Sequence, residues 1–315
     1  MTTDSPSTED VNSSIEHYDV DLTKLNALTQ DGKVGPVKPL ASVFLKNLEK
    51  IHELHLMPYL TAADGVRLFF WTVNYVQAAL RSSKRASDAV EENTKVAEEL
   101  FAAFLQQPET QTTIASHIDD RIASLMRHES FQKAMRVMFF ITTPLLWTAF
   151  ETLARDAWIT AIDAGPVSIG HRTFRSLRDE EVDDGIRKKS IEVGILAKYG
   201  FDLRGRLGTI LQDKFHFSSI EGISNAYQAA FPNESAFLAT LENDDLKSAE
   251  QVRHLIAHKA GIIDDKYKKR TGTSQNIGEE LVVTGAQVSR FGQAVVEVGI
   301  NLLAFVDTFP ATTPK

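Results

Sequence analysis

Arginine and histidine stand close together in one segment of the chain, where Arg253 is followed by His254 and, four residues later, by His258. Histidine changes its protonation near neutral pH, and arginine binds phosphate oxygens through charge-assisted hydrogen bonds. The apolar spacing of the surrounding residues predicts a helix over 244–259. On such a helix His254 and His258 lie about 40° apart, whereas Arg253 lies about 140° from His258.

The segment around these residues is basic although the protein as a whole is acidic. Between residues 251 and 270 there are six basic residues and two acidic ones, while the chain has a formal net charge of −8. A local positive surface beside two histidines suits an anionic ligand such as a phosphate. The basic residues are Arg253, Lys259, Lys266, Lys268, Lys269 and Arg270.

Spacing alone leaves three interpretations of the histidines open. They can lie on a solvated helix face, they can form a metal pair because residues i and i+4 share a face, or they can move protons beside a phosphate-binding arginine. No glutamate follows the first histidine and no third ligand is indicated, so we expect no metal or other cofactor. Arg121 and His128 form a comparable pair, which we interpret as a solvated helix face.

Apolar residues recur at helical spacing along most of the chain, and almost no segment alternates with a period of two. We therefore predict an all-α helical bundle. A kink is expected at Pro144, where a proline interrupts an apolar helix. The predicted helices cover 40–56, 64–80, 86–106, 112–127, 130–163, 183–199, 218–232, 244–259 and 286–309.

Composition and charge narrow the classes of protein. The absence of cysteine excludes thiolate zinc sites and a cysteine nucleophile, and the negative net charge excludes a uniformly basic nucleic-acid coat. The uncharged apolar stretch 137–150 is shorter than the roughly 20 residues that a membrane span needs, so we expect a core helix there. No secretory signal is evident at the start, and a cytoplasmic location is expected.

Three regions are predicted from these patterns. Residues 1–38 form an acidic, polar tail that is expected to be disordered. Residues 39–130 form an N-terminal helical region, and residues 131–310 form a second helical domain that contains the histidine pair.

The segment from Arg253 to Tyr267, which reads RHLIAHKAGIIDDKY, resembles the signature of the HEPN superfamily. That signature is an arginine, a polar residue, three mostly apolar residues and a histidine, often followed by a glycine-containing turn. The resemblance is closest to stand-alone bacterial domains of the RiboL-PSP-HEPN group and covers roughly residues 140–309. Relatives most often have asparagine where this chain has His254, and many have asparagine where it has Lys259.

The resemblance implies a HEPN-type bundle that acts as a metal-independent endoribonuclease. By position, Arg253, His254 and His258 are then the catalytic residues. His258 serves as general acid or base during attack by the RNA 2′-hydroxyl, Arg253 stabilises the phosphoryl group, and His254 orients or shares the proton. The resemblance also implies a homodimer in which two signature helices line one cleft.

Substrate contacts and partners are implied in the same way. An RNA substrate is expected, together with a toxin or phage-defence role and an antitoxin or regulatory protein; no membrane is involved. Glu151 and Arg155 can flank the site or form a surface i,i+4 ion pair. The alternative function is a non-catalytic HEPN nucleotide-binding or protein-interaction scaffold. The expected substrate-binding residues are Lys259, Lys266, Tyr267, Lys268, Glu151 and Arg155.

Overall fold

The computed structural model describes residues 18–30, 35–81, 90–165, 169–170, 172–173, 193–203, 205–232 and 235–309. These ranges contain helices and no strand, which confirms the predicted all-α class. A single antiparallel bridge joins Ile262 to Glu280. Of the helix predicted over 183–199, residues 183–192 lie outside the described residues.

Within the described residues, twelve α-helices have defined bounds and are numbered in chain order, with a 3₁₀ turn at Gln212–Lys214 between α7 and α8. The helices are α1 Thr23–Gln30, α2 Val37–Arg81, α3 Val90–Leu105, α4 Pro108–Met126, α5 Glu129–Ala164, α6 Val193–Lys198, α7 Leu207–Leu211, α8 Ile220–Ala230, α9 Ser235–Thr240, α10 Asp244–Lys259, α11 Asp265–Thr271 and α12 Gly285–Asp307.

Helix α2 is one continuous helix where the sequence predicted two. Pro58 lies inside it, and the helix runs for 45 residues. A proline removes one backbone hydrogen bond, and here that loss does not end the helix. The prediction of a break between 56 and 64 is therefore wrong.

Two compact units divide the chain. Of the described residues, 53–81 and 90–137 belong to unit 1, whereas 18–30, 35–52 and those from 138 onward belong to unit 2. The divisions fall inside α2 and inside α5. Residues 39–52 therefore belong with the C-terminal unit, whereas the sequence grouped them with the N-terminal region.

The core of unit 2 forms around long-range contacts of α5, α8 and α12. The indole Nε1 of Trp158 donates a hydrogen bond to the carbonyl of Ala226 at 2.8 Å, and the hydroxyl of Tyr227 donates one to the carbonyl of Ala154 at 2.8 Å. Both side chains are fully buried, so these bonds satisfy polar atoms that would otherwise be expensive to bury. They fix α8 against α5.

The core of unit 1 lies between α2 and α4. Its buried members have small or β-branched side chains, and partly buried aromatic residues such as Phe70 and Phe104 pack against them. Pro108 begins α4, where a missing backbone N–H is tolerated. The buried members are Ala62, Ala63, Val66, Ile114, Ile118 and Ile122.

The prediction of a disordered tail is wrong for residues 18–30. Tyr18, Val20 and Leu25 are buried, and the chain forms α1 immediately afterwards. The backbone N–H groups of Asp19 and Asp21 donate hydrogen bonds to Ser289 Oγ at 3.0 Å and Gln293 Oε1 at 3.3 Å on α12. The order depends on contacts with a helix about 270 residues away, which no local pattern reveals.

Gly292 makes room for this N-terminal segment, and its replacement by alanine is expected to destabilise unit 2. A Cβ atom at position 292 would lie 2.5 Å from Cγ2 of Val20 and 3.1 Å from the hydroxyl of Tyr18. We expect the unfolding free energy of Gly292→Ala to fall by about 1–3 kcal/mol because the site is overpacked. Urea denaturation followed by circular dichroism measures the change, and limited proteolysis shows whether residues 18–30 are released.

Gly65→Ala is the matched control, because a Cβ atom added at that helical glycine would meet no packing neighbour within 4 Å. Alanine favours a helix over glycine by about 1 kcal/mol, so this variant is expected to be slightly stabilised. Equal stability changes in both variants would show that residues 18–30 do not pack against Gly292.

Helix α5 is long and apolar enough, by length and composition, to cross a membrane, and it is the one such helix among the described residues. Half of its most apolar window is buried inside the protein. The core helix of a soluble protein satisfies the same criterion, so this finding is weak evidence for a membrane span.

Candidate functional site

Local backbone geometry fixes both ends of α10. The side chain of Asn243 accepts a hydrogen bond from the N–H of Leu246 and caps the N-terminus. At the C-terminus Ala260 and Gly261 adopt left-handed conformations, with φ of 51° and 79°. A Cβ atom on Gly261 would lie 2.5 Å from the ring of Phe140 on α5. The end of α10 therefore sits closely against α5, directly after His258.

The buried face of α10 is formed by Leu246, Ala249, Val252 and Leu255, whereas Ile256 is only half-buried. Successive buried positions are three residues apart, so the buried face rotates by about 60° at each step. This rotation still leaves both histidines in solvent.

The structure brings the two predicted histidines together on an exposed surface. The ring centroids of His254 and His258 are 4.5 Å apart, and the ring planes are inclined by 51°. Both side chains are exposed. The pair thus presents two imidazoles that an external ligand can contact at the same time.

Arg253 points away from this pair. Its Nη2 donates a hydrogen bond to the carbonyl of Ser218, and its guanidinium carbon lies 5.3 Å from the ring centroid of Trp147 on α5. No hydrogen bond within the described ranges joins Arg253 to His254 or His258. The angle of about 140° on an ideal helix accounts for this separation from His258.

Unpaired polar atoms are buried where Arg253 meets α5. Within the part of the chain that the structure describes, the Nε of Arg253 and the indole Nε1 of Trp147 are buried without a hydrogen-bond partner, and so is the hydroxyl of Thr143. Thr143 lies one helical turn before Trp147 on α5. The side chain of Arg253 therefore packs against the ring of Trp147 as well as carrying a positive charge. Arginine commonly stacks its guanidinium on an aromatic face in this way.

The electrostatic surroundings of His254 are positive. Burial lowers the pKa of His254 first, and the positive charges of His258, Lys266, Arg253 and Arg270 lower it further. A positive environment disfavours the imidazolium, so the neutral ring, which can accept a proton, is favoured. The same charges would attract a phosphate group.

Helix α11 supplies two of these charges. Asp264 caps it by accepting a hydrogen bond from the N–H of Tyr267 at 2.7 Å. Lys266 and Arg270 are four residues apart on this helix and are both exposed. Arg270 Nη1 donates a hydrogen bond to Gln251 Oε1 at 3.1 Å, which links α11 to α10. The sequence prediction omitted Arg270 from the site, although its i,i+4 spacing from Lys266 is a usable signal.

Two of the expected substrate-binding residues, Tyr267 and Lys268, make contacts within the protein itself. The side chain of Tyr267 is buried, and burial raises its pKa. The ammonium of Lys268 donates a hydrogen bond to the carbonyl of Gln275 at 2.9 Å. Both residues stay predictions as substrate contacts, and either side chain would have to leave its present environment to bind substrate. Lys259 and Lys266 remain exposed beside the histidines.

Glu151 and Arg155 lie half-buried on α5. Arg155 Nε is 3.8 Å from Oδ1 of its neighbour Asp156, and among the described residues no ion pair joins it to Glu151. The expected i,i+4 ion pair is thus not formed. Glu151 is one helical turn from Trp147, about 40° around α5, but no hydrogen bond within the described ranges connects it to the histidines.

The imidazole of His254 is expected to titrate below its ordinary midpoint of 6.5. NMR titration of the histidine ring protons measures this value. Lys266→Gln is expected to raise the pKa of His254, because removing a nearby positive charge lets the ring bind a proton more readily.

The lowered pKa of His254 in the unmodified protein also means that the unfolded chain binds more protons below pH 6.5. The unfolding free energy is therefore expected to fall as the pH drops.

Lys259→Gln is the matched control for this titration, since Lys259 is exposed but is not among the charges that lower the pKa of His254. An upward shift of equal size in both lysine variants would contradict the assignment of Lys266. A midpoint at or above 6.5 in the unmodified protein would contradict the electrostatic description as a whole.

Metal ligation was one interpretation of the histidine spacing. Within the described ranges no group of three or more histidine, aspartate or glutamate side chains is arranged to hold a metal ion.

Comparison of the chain with protein-family models, with curated proteins and with solved structures found no match.

Proposed function

We propose that this protein is a metal-independent endoribonuclease whose reaction takes place at His254 and His258. The observation that supports the proposal most strongly is the pair of exposed imidazoles, 4.5 Å apart, beside the positive charges of Lys266, Arg253 and Arg270 that lower the pKa of His254. Two rings at this separation can serve two proton transfers at one phosphate. The resemblance of the segment from Arg253 to Tyr267 to the HEPN signature supports the same function.

The proposed reaction is attack of an RNA 2′-hydroxyl on the adjacent phosphorus. The hydroxyl proton passes to an imidazole, the 2′-oxygen forms a bond to phosphorus, and the bond from phosphorus to the 5′-oxygen breaks. The departing 5′-oxygen takes up a proton. His258 acts as the general acid or base, and His254, held neutral by its surroundings, shares the proton. The products are a 2′,3′-cyclic phosphate and a 5′-hydroxyl, and hydrolysis of the first gives a 3′-phosphate.

Arg253 stabilises the phosphoryl charge in this proposal, although its guanidinium contacts Ser218 and Trp147 within one chain. In the proposed homodimer with a shared cleft, the arginine of one subunit serves the histidines of its partner after its guanidinium leaves the Ser218 carbonyl and the Trp147 ring. The proposed context is a toxin or phage-defence effector that is regulated by a protein partner.

A non-catalytic HEPN scaffold that binds nucleotides or proteins is the second candidate. The observation that favours it is the engagement of Arg253 with the Ser218 carbonyl and the Trp147 ring. A guanidinium used for packing is not available to a phosphoryl group in the same subunit. This candidate predicts saturable nucleotide or protein binding without turnover.

The test is incubation of the purified chain with mixed RNA in the presence of EDTA. The unmodified protein is expected to release fragments with cyclic-phosphate ends, and Arg253→Ala/His258→Ala is expected to release none. Absence of fragments from both proteins would favour the scaffold. Fragments from both would place the activity at another site or in a contaminant.

A further inference from the structure

An apolar stripe runs along the exposed surface of α2 in unit 1. It consists of Phe69, Val73, Val76 and Leu80, whose side chains are between 37% and 81% exposed. The intervals between them are four, three and four residues. This is the spacing of the d and a positions of a heptad, the pattern with which one helix packs against another.

The same spacing continues toward the N-terminus of α2 and is already used there for helix packing. Ala62 and Val66 precede Phe69 by seven and three residues, and both are buried in the unit 1 core with isoleucines of α4. The stripe therefore extends the line of Ala62 and Val66 into a stretch of α2 where these positions are exposed, while Phe70 beside it still packs against the core. The four exposed residues of the stripe have large or branched apolar side chains, as in an interface between two helices.

The pattern of the stripe is symmetric about its centre. If a second copy of α2 is laid alongside in the antiparallel direction, with the two-fold axis between Asn74 and Tyr75, Phe69 meets Leu80 of the partner and Val73 meets Val76 of the partner. Large side chains then face each other at both ends and small branched ones face each other in the middle. A surface that matches itself under a two-fold rotation is the requirement for an isologous dimer.

We propose that two copies of this chain associate through the stripe Phe69, Val73, Val76 and Leu80, with the two α2 helices antiparallel. The segment 68–80 contains no charged residue, so no like charges are brought together along the paired stripes. The proposal concerns a surface of unit 1 and does not depend on the nuclease activity proposed for unit 2.

The interface is small, because four side chains on each helix form its centre. Interfaces that bury less than about 1,200 Å² in total are typical of weak association. The dimer is accordingly expected to form progressively as the protein concentration rises through the micromolar range.

Analytical ultracentrifugation of the full chain over a series of concentrations tests the proposal. The unmodified protein is expected to associate further as its concentration rises. Val73→Glu/Val76→Glu is expected to lose this association step, which is separate from the shared-cleft homodimer, because it places four carboxylates in the interface. The matched control is Met57→Glu/Leu68→Glu, which changes two exposed apolar residues on another face of α2 and should still dimerise. Circular dichroism melts verify that both variants are folded.

An unmodified protein whose mass does not rise with concentration would overturn the proposal, and so would a Val73→Glu/Val76→Glu protein that associates to the same extent as the unmodified one. Vesicles of phosphatidylcholine and phosphatidylglycerol provide a further test. Binding of monomers to these vesicles, lost in Val73→Glu/Val76→Glu and kept in Met57→Glu/Leu68→Glu, would assign the stripe to a lipid surface instead.

Disulfide cross-linking tests the antiparallel register, and the chain suits it because it contains no cysteine. A mixture of Phe69→Cys and Leu80→Cys chains is expected to form cross-linked dimers under oxidation, since these positions face each other. Either variant alone should not cross-link, because the two equal positions are about 16 Å apart along antiparallel helices and a disulfide spans at most about 7 Å between Cα atoms. Cross-linking of Phe69→Cys alone would indicate parallel pairing and overturn the proposed symmetry.

Discussion

Replacing His258 by alanine is expected to lower the rate of RNA cleavage in EDTA by about 10²- to 10⁴-fold, the usual contribution of a general acid or base. The imidazole of His258 is exposed and lies 4.5 Å from that of His254. Its removal leaves a single ring for two proton transfers. Initial rates on a defined RNA oligonucleotide measure the change.

His128→Ala is the matched control for this experiment. His128 is an exposed histidine beside the start of α5, and Arg121 precedes it at a spacing similar to that of the candidate site. We expect this variant to cleave RNA at the unmodified rate, because no second imidazole contacts His128 within the described residues. A His258→Ala protein that is folded and cleaves as fast as the unmodified protein would remove His258 from the site.

Replacing Trp147 by alanine is expected to lower the unfolding free energy by about 3–5 kcal/mol, as is usual for a large buried aromatic side chain. Trp147 is 1% exposed and packs edge-to-face against Phe150 at a centroid distance of 5.7 Å. It also supports the guanidinium of Arg253. The substitution therefore leaves a cavity beside α5 and removes the ring against which Arg253 of α10 packs. Urea denaturation followed by circular dichroism measures it.

Two further variants separate the causes of this loss. Trp147→Phe keeps an aromatic face under Arg253 and removes an indole N–H that has no partner, so its destabilisation is expected to be smaller. Trp71→Ala changes a half-buried tryptophan that stacks on Tyr75 in unit 1. Its unfolding free energy is also expected to fall less than that of Trp147→Ala. If Trp71→Ala were as destabilising as Trp147→Ala, the contact between α5 and Arg253 would contribute no more to stability than an ordinary aromatic contact.

Helix class and helix capping are the features that the sequence determined most completely. The 3.6-residue period of apolar positions predicts an all-α protein, and the described residues agree. Asn243 caps α10 and Ser219 caps α8, and each side chain accepts a hydrogen bond from a backbone N–H in the first turn of its own helix. These features depend on side chains and backbone groups within one turn of each other, so they are visible in the linear order.

The pairing of His254 and His258 was also determined by the sequence, because residues four apart on a helix share a face. The sequence determined only in part the direction in which the side chain of Arg253 points. Helical geometry places it away from His258, but its partners, the carbonyl of Ser218 and the ring of Trp147, come from 35 residues and about a hundred residues away in the chain. Only tertiary packing brings such groups together.

Tertiary structure alone decided which other residues are available to a ligand. Tyr267 and Lys268 have the types expected of a binding surface, yet one is buried and the other donates its hydrogen bond to the carbonyl of Gln275. Arg270, which the sequence prediction omitted from the site, contributes to the positive surroundings of His254. Likewise the polar segment 18–30 is ordered by contacts with α12. Burial and charge at a given position depend on distant elements, whereas the local sequence records only helical period and capping.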